Sequence, residues 1–192
     1  MDLRLLKKRF YERDPKIVAR GLLGKKIVRR FGNISLEGLI IETEAYYGSK
    51  DPASRAFYGM KNYNKSMWGE PGSIFIYNVH NNWMFNIVAH EFRKVGAILI
   101  RALEPLKGIE VMKVNRGVGD LRLIASGPGR LSRALNIDKS LNNKTVTSDH
   151  SEIFIVDNNI EFDIGTSYRI GVKIDLDEKL RFFIKGNKYV SR

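Results

Sequence analysis

At 192 residues the chain is long enough for one ordinary domain with its own core. An apolar content of 43% and a mean hydropathy of -0.27 fit a soluble globular protein, and no run of about 18 apolar residues marks a membrane span. The lack of cysteine excludes disulfides, thiol nucleophiles and thiolate zinc sites, and 33 Lys and Arg against 21 acids leave a net charge of +12.

Such a surplus suits a polyanion, because each phosphate that a lysine or arginine neutralises releases counterions. A thermophile-like Lys/Glu surface is the alternative, but balanced ion-pair networks need no excess of one sign. Nucleic acid is therefore the favoured partner. Residues 1–16 are charged throughout and lack the hydrophobic segment of a signal peptide, so an intracellular protein is expected.

Asp14-Pro15 predicts a helix start, with Asp as N-cap and Pro in the first turn, and Gly24 is placed to end it. Lys25–Phe31 reads as a basic strand that Gly32-Asn33 turns back into Ile34 onward. The central stretch is Leu36–Gly48, LEGLIIETEAYYG, a predicted strand. Strict alternation puts Ile40, Glu42, Glu44 and Tyr46 on one face and Leu39, Ile41, Thr43 and Ala45 on the other. A solvated edge and a functional site both accommodate two glutamates there.

Residues 49–70 form a long loop that mixes Phe57, Tyr58, Tyr63 and Trp68 with Arg55, Lys61 and Lys65. Its rings either plug the loop onto the core or stack on bases. A hairpin follows, Ser73–Val79 and Trp83–Ala89, with Asn81-Asn82 as the expected turn and His80 beside it. Its polar tip suits a probe that enters a groove. Gly96–Ala102 is a buried strand ending in Arg101, which either faces the central carboxylates or reaches the strand's exit.

Pro105–Arg116 is predicted helical, as is Asp120–Ala125. Gly129 and Arg130 open a further helix whose N-terminal amides could meet a phosphate, with Arg133 adding charge. Strands are expected at 152–157, 160–164, 168–174 and 180–185. The resulting fold class is α+β: one domain over residues 1–192, with a mostly antiparallel curved sheet, peripheral helices and a protruding hairpin. The sequence holds no H-E-x-x-H, no G-x-S-x-G and no Walker loop, and its histidines at 80, 90 and 150 are too scattered for a metal site. Neither metal nor cofactor is expected. What remains is a carboxylate beside aromatic rings and an arginine on a basic protein, a set that suits a general base acting on something bound between rings.

The blocks IIETEAYYG at 40–48, PGSIFIYN at 71–78, Asn86, LIRALEPLKG at 99–108, SGPGRLSRALNI at 126–137 and the terminal LRFFIKG resemble the alkyladenine (3-methyladenine, methylpurine) DNA glycosylase family in order and spacing. The resemblance implies a monofunctional enzyme that flips a damaged purine out of duplex DNA and hydrolyses its glycosidic bond. On that basis Glu44 is the general base, Arg101 holds the water, Tyr46 and Tyr77 sandwich the base, and Asn86 lines the pocket against guanine. It also implies a monomer, with double-stranded DNA as partner and no membrane. Glu42 reads as a structural partner.

Two departures stand out. Arg55 occupies the loop position where the family usually has histidine, and a guanidinium stacks but cannot act as a neutral acceptor. At the hairpin tip His80 stands where the family carries an intercalating tyrosine, with Asn81 and Trp83 as other wedge candidates. A catalytically silent nucleic-acid binder of the same fold, or an enzyme acting on RNA or nucleotides, are the rival readings.

Overall fold

The computed structural model of the protein describes residues 4–191. In chain order its strands are β1 (Lys26–Phe31), β2 (Ile34–Tyr47), β3 (Ile74–Val79), β4 (Asn82–Val88), β5 (Gly96–Lys107), β6 (Ile153–Val156), β7 (Ile164–Ser167) and β8 (Arg181–Ile184). Its helices are α1 (Lys8–Tyr11), α2 (Pro15–Leu22), α3 (Ile109–Arg116), α4 (Leu121–Ile124) and α5 (Pro128–Ala134). The strands form one antiparallel sheet in the order β3-β4-β5-β2-β1-β6, with β8 joining β2 and β7 joining β8. This is the expected α+β architecture.

The central strand is the frame. One edge of β2 pairs with β5 along its length. Its other edge changes partner, from β1 over Ile34–Leu39 to β8 over Glu42–Glu44. The switch coincides with a β-bulge, where the register against β5 shifts between Ile40 and Glu42 and again before Thr43. A bulge adds a residue and bends the strand, so strict alternation does not survive it. Ile40 and Ile41 accordingly both sit in the main core, against the expected opposite placement. Beyond the bulge alternation returns: Ala45 enters the main core, whereas both glutamates meet Arg101.

The main core lies between one face of the sheet and the helices. Asp14 caps α2 by accepting a hydrogen bond from Lys16 N at 2.8 Å, and Val18, Ala19 and Leu22 bury its inner stripe. Thr43 Oγ1 donates to Ala19 O at 2.9 Å, which ties that helix to β2. The other face of the sheet carries a smaller cluster of Ala56, Met67, Phe75, Val88 and Ala97. It is covered by the loop of residues 49–70, which folds a short 3-10 turn at Lys65–Trp68. Buried Asn64 staples that loop, donating to Arg55 O at 2.7 Å and to Gly59 O at 3.0 Å.

Four sequence-based boundaries move. The hairpin turns at His80-Asn81, not Asn81-Asn82: both have positive φ, 46° and 58°, as a two-residue turn with the twist of its strands requires. Asn82 pairs with Val79 and donates from Nδ2 to His80 O at 2.8 Å. Pro105–Lys107 continues β5, and the helix starts only at Ile109. Residues 160–163 are irregular, with β7 beginning at Ile164. Residues 168–174 form a loop where a strand was expected, because its arginine is drawn into the interior.

Candidate active site

Directly opposed residues of antiparallel strands share a face. Glu44 on β2 opposes Leu99 on β5, which opposes Asn86 on β4, which opposes Phe75 on β3. Tyr46 lies two residues from Glu44, Tyr77 two from Phe75 and Arg101 two from Leu99, so the pleat carries all of them onto the same side. The expected set of Glu44, Arg101, Tyr46, Tyr77 and Asn86 is thus assembled on the face covered by the long loop.

Glu42 and Glu44 are both 0% exposed, which removes the solvated-edge reading. Arg101 bridges them: Nε donates to Glu42 Oε1 at 2.8 Å and Nη1 to Glu44 Oε2 at 3.1 Å. Glu44 Oε2 also accepts from Tyr46 OH at 2.8 Å, while Oε1 accepts from Ile170 N at 2.8 Å. A carboxylate offers about four acceptor sites, and among the described residues Glu44 accepts one bond fewer on Oε1 than on Oε2. Glu42 is held by more donors: Arg101 Nε, Arg181 Nε and Ser191 Oγ reach its Oε1 and Ser191 N reaches Oε2, four among the described residues against three on Glu44.

Burial pushes the Glu44 carboxyl above its ordinary range, with Arg101, Ile170 N–H and Tyr46 OH pulling the other way. The Tyr46 hydroxyl is driven well up by burial and by the negative charge of Glu44, so it stays a proton donor to the carboxylate. Tyr77 is raised by burial and opposed by Arg55. Asn86 is 2% exposed and spends its amide hydrogens on Phe75 O at 3.1 Å and Met84 O at 3.0 Å, which fixes its orientation.

Sequence reasoning missed three residues here. Arg169 lays its guanidinium 4.5 Å from the centre of the Tyr46 ring. It is held by Asp51 (2.7 Å), Asp175 (2.5 Å) and Ala45 O (2.9 Å), and its neighbour Ile170 supplies the N–H on Glu44. Arg181 and Ser191 close the Glu42 end. The signal for Arg181 was present, as the first residue of the terminal strand that pairs opposite Glu44. Arg169 left no signal, since its partner Asp51 is 118 residues away.

A cleft of about 970 Å³ opens beside Arg101 and Ser191, running under the hairpin to α5. Among the described residues six permanent cations line it, Arg101, Arg116, Arg122, Arg130, Arg133 and Lys188, against one carboxylate, Asp120, which is already paired with Arg122. Burial and the charges of Arg130 and Arg133 lower the Arg116 guanidinium from its ordinary value, the mark of a cluster lacking an anion. Gly129 lets α5 touch the hairpin: a Cβ there would stand 2.8 Å from the Cβ of Asn82. The cleft does not reach Glu44, which lies behind Arg101.

The remaining candidates separate. His80 and Asn81 form the exposed hairpin tip. Trp83 is not at the tip; it sits in β4 opposite Asn78, half-buried against the main core. It also lines a smaller recess of about 360 Å³ with Arg55, Tyr63 and Tyr77. Of the loop rings, Trp68 packs on the small cluster, whereas Tyr58 and Tyr63 are 81% and 50% exposed.

Comparison with known proteins converges on one family. The model of the methylpurine-DNA glycosylase family matches residues 9–188. A protein of Aeropyrum pernix is 40% identical over 192 residues, covering 98% of this chain and 94% of its own. One from Carboxydothermus hydrogenoformans is 40% identical over 192 residues, covering 98% and 99%. One from Koribacter versatilis is 39% identical over 191 residues, covering 97% and 92%. All three carry the name "Putative 3-methyladenine DNA glycosylase".

Proposed function

The chain belongs to the methylpurine-DNA glycosylase family and is a monofunctional enzyme that hydrolyses N-glycosidic bonds in DNA; from that premise we propose that it extrudes a damaged purine nucleotide from duplex DNA and that Glu44 activates the attacking water. The observation that carries this reading is that, among the described residues, Glu44 Oε1 accepts only from Ile170 N while Oε2 takes both Arg101 and Tyr46, in a carboxylate raised by burial. The glycosidic carbon is shielded in the base stack, so extrusion precedes chemistry. Water adds across the C1′–N9 bond: its oxygen bonds to C1′, its proton passes to Glu44, and the electron pair of the broken bond leaves with the purine. Positive charge that develops on the sugar is stabilised by the same carboxylate.

Arg101 belongs to both the buried network and the cleft, so it links Glu44 to the surface where the phosphodiester would lie. Arg116, Arg130 and Arg133 supply the charge for that backbone, and His80 and Asn81 fill the gap left by an extruded nucleotide, a role that their exposure at the hairpin turn supports. Tyr46 and Tyr77 offer faces for the purine, each stack contributing about 0.5–2 kcal/mol for a cationic base.

The experiment is product analysis on duplex DNA carrying one 3-methyladenine or one hypoxanthine. Free base should appear with an abasic strand that breaks only after alkali. Strand cleavage without alkali, or no base release with enzyme in excess, overturns the reading.

A further inference from the structure

Both tyrosines carry a guanidinium on the ring, Arg169 on Tyr46 at 4.5 Å and Arg55 on Tyr77 at 4.7 Å. The two arginines differ in how they are held. The Arg169 side chain has no exposure and is locked between Asp51 and Asp175. Arg55 is exposed and takes part in none of the ion pairs found among the described residues. Its backbone is nevertheless anchored, since Asn64 Nδ2 donates to Arg55 O at 2.7 Å. The guanidinium is therefore tethered beside Tyr77 with no carboxylate holding it there among the described residues.

We propose that Arg55 sets which purines the pocket takes, favouring neutral purines with acceptors at N7 and O6 over purines that carry a fixed positive charge. The inference rests on the function proposed above. In the resting protein the Tyr77 ring already has a guanidinium over it, 4.7 Å from the ring centre. A cationic alkylpurine exchanges one cation–π contact for another and brings its charge next to the displaced guanidinium. A neutral purine brings no such repulsion. Its N7 and O6 edge matches the two parallel N–H donors of the guanidinium fork.

The chemical step adds a second preference of the same sign. When the C1′–N9 bond of a neutral purine breaks, the electron pair leaves as negative charge spread over the ring, and the base takes up a proton as it departs. N–H donors from Arg55 at N7 and O6 stabilise that charge as it forms. An alkylated cation leaves as a neutral molecule and has no such charge to stabilise.

The test is single-turnover base release from two duplexes of one sequence, containing hypoxanthine or 7-methylguanine, by the parent, Arg55→Gln and Arg55→Lys. Arg55→Gln should lower hypoxanthine release at least about tenfold while 7-methylguanine release holds or rises. Arg55→Lys keeps the charge but loses the planar fork, so hypoxanthine release should fall without a gain on 7-methylguanine. Equal factors on both bases, or a larger loss on 7-methylguanine, overturn the role of Arg55 while leaving the activity intact. A parent enzyme that releases neither base overturns the activity itself.

Discussion

Glu42 and Glu44 stand two residues apart on one strand, equally buried and bridged by one arginine, yet their surroundings differ in kind. Glu42 is closed off by two guanidiniums and both donors of Ser191. Glu44 meets one guanidinium, a tyrosine hydroxyl and a backbone amide. A carboxylate that ties two guanidiniums to a backbone amide is a structural anion: it neutralises the arginines that let β5, β8 and the terminal segment converge. One that meets a single guanidinium, and is raised by burial, is the better candidate to take a proton. The partner switch of β2 brings β8 alongside both glutamates, and the difference is set by the Arg181 side chain, which starts opposite Glu44 and reaches Glu42.

The comparison breaks most sharply in rate. Glu44→Gln should reduce base release at least about 10³-fold, measured in a single turnover, because the variant loses both the proposed general base and the negative charge proposed to face the sugar. Glu42→Gln should show its largest effect in stability, about 3 kcal/mol or more by urea titration, since Arg101 and Arg181 are left buried without their common counter-charge. A Glu42→Gln protein as stable as the parent would dissolve the distinction between the two carboxylates.

Next comes pH. The folded protein holds the Glu44 proton more tightly than the unfolded chain does, so the stability this group contributes is present at low pH and lost as pH rises through its folded value. Glu44→Gln should therefore raise the thermal midpoint at neutral pH, with the gain vanishing as pH falls toward 4.5, the ordinary value of the group. In the parent the same titration places the acid limb of the rate profile above that value. An acid limb at or below it would detach the rate from Glu44.

At the cleft, Arg130→Ala and Arg133→Ala should weaken duplex binding several-fold and flatten its salt dependence, by a slope of about 0.9 for each phosphate no longer neutralised. Stability should stay near the parent value, because neither Arg130 nor Arg133 takes part in an ion pair among the described residues. The smallest effect is expected from Ser191→Ala. It removes one of four donors to Glu42 and should cost about 1 kcal/mol with little change in rate.

Much of this was legible in the sequence where chemistry follows strand geometry. Glu44, Tyr46 and Arg101 lie on neighbouring strands, and period-two alternation suffices to put them on one face. The same rule placed Ile41 correctly in the core but put Ile40 on the glutamate face, because a bulge is invisible to alternation and here marks where β2 changes partner. The hairpin was legible but its turn slipped by one residue, since His and Asn can both adopt the left-handed conformation and only the pairing of Asn82 with Val79 settles the register. Arg169 was beyond reach for a different reason. Its segment looks like a strand, and what overrides that pattern is a buried ion pair to Asp51, an interaction that no local propensity encodes.

The most direct test of the division between the two glutamates is to measure single-turnover base release and thermal midpoint together on Glu42→Gln and Glu44→Gln at neutral pH. The account predicts that Glu44→Gln is folded, binds lesion-containing duplex, melts no lower than the parent and releases essentially no base, while Glu42→Gln melts well below both. Base release by Glu44→Gln within about tenfold of the parent would contradict it, since general-base catalysis contributes about 10²–10⁴-fold.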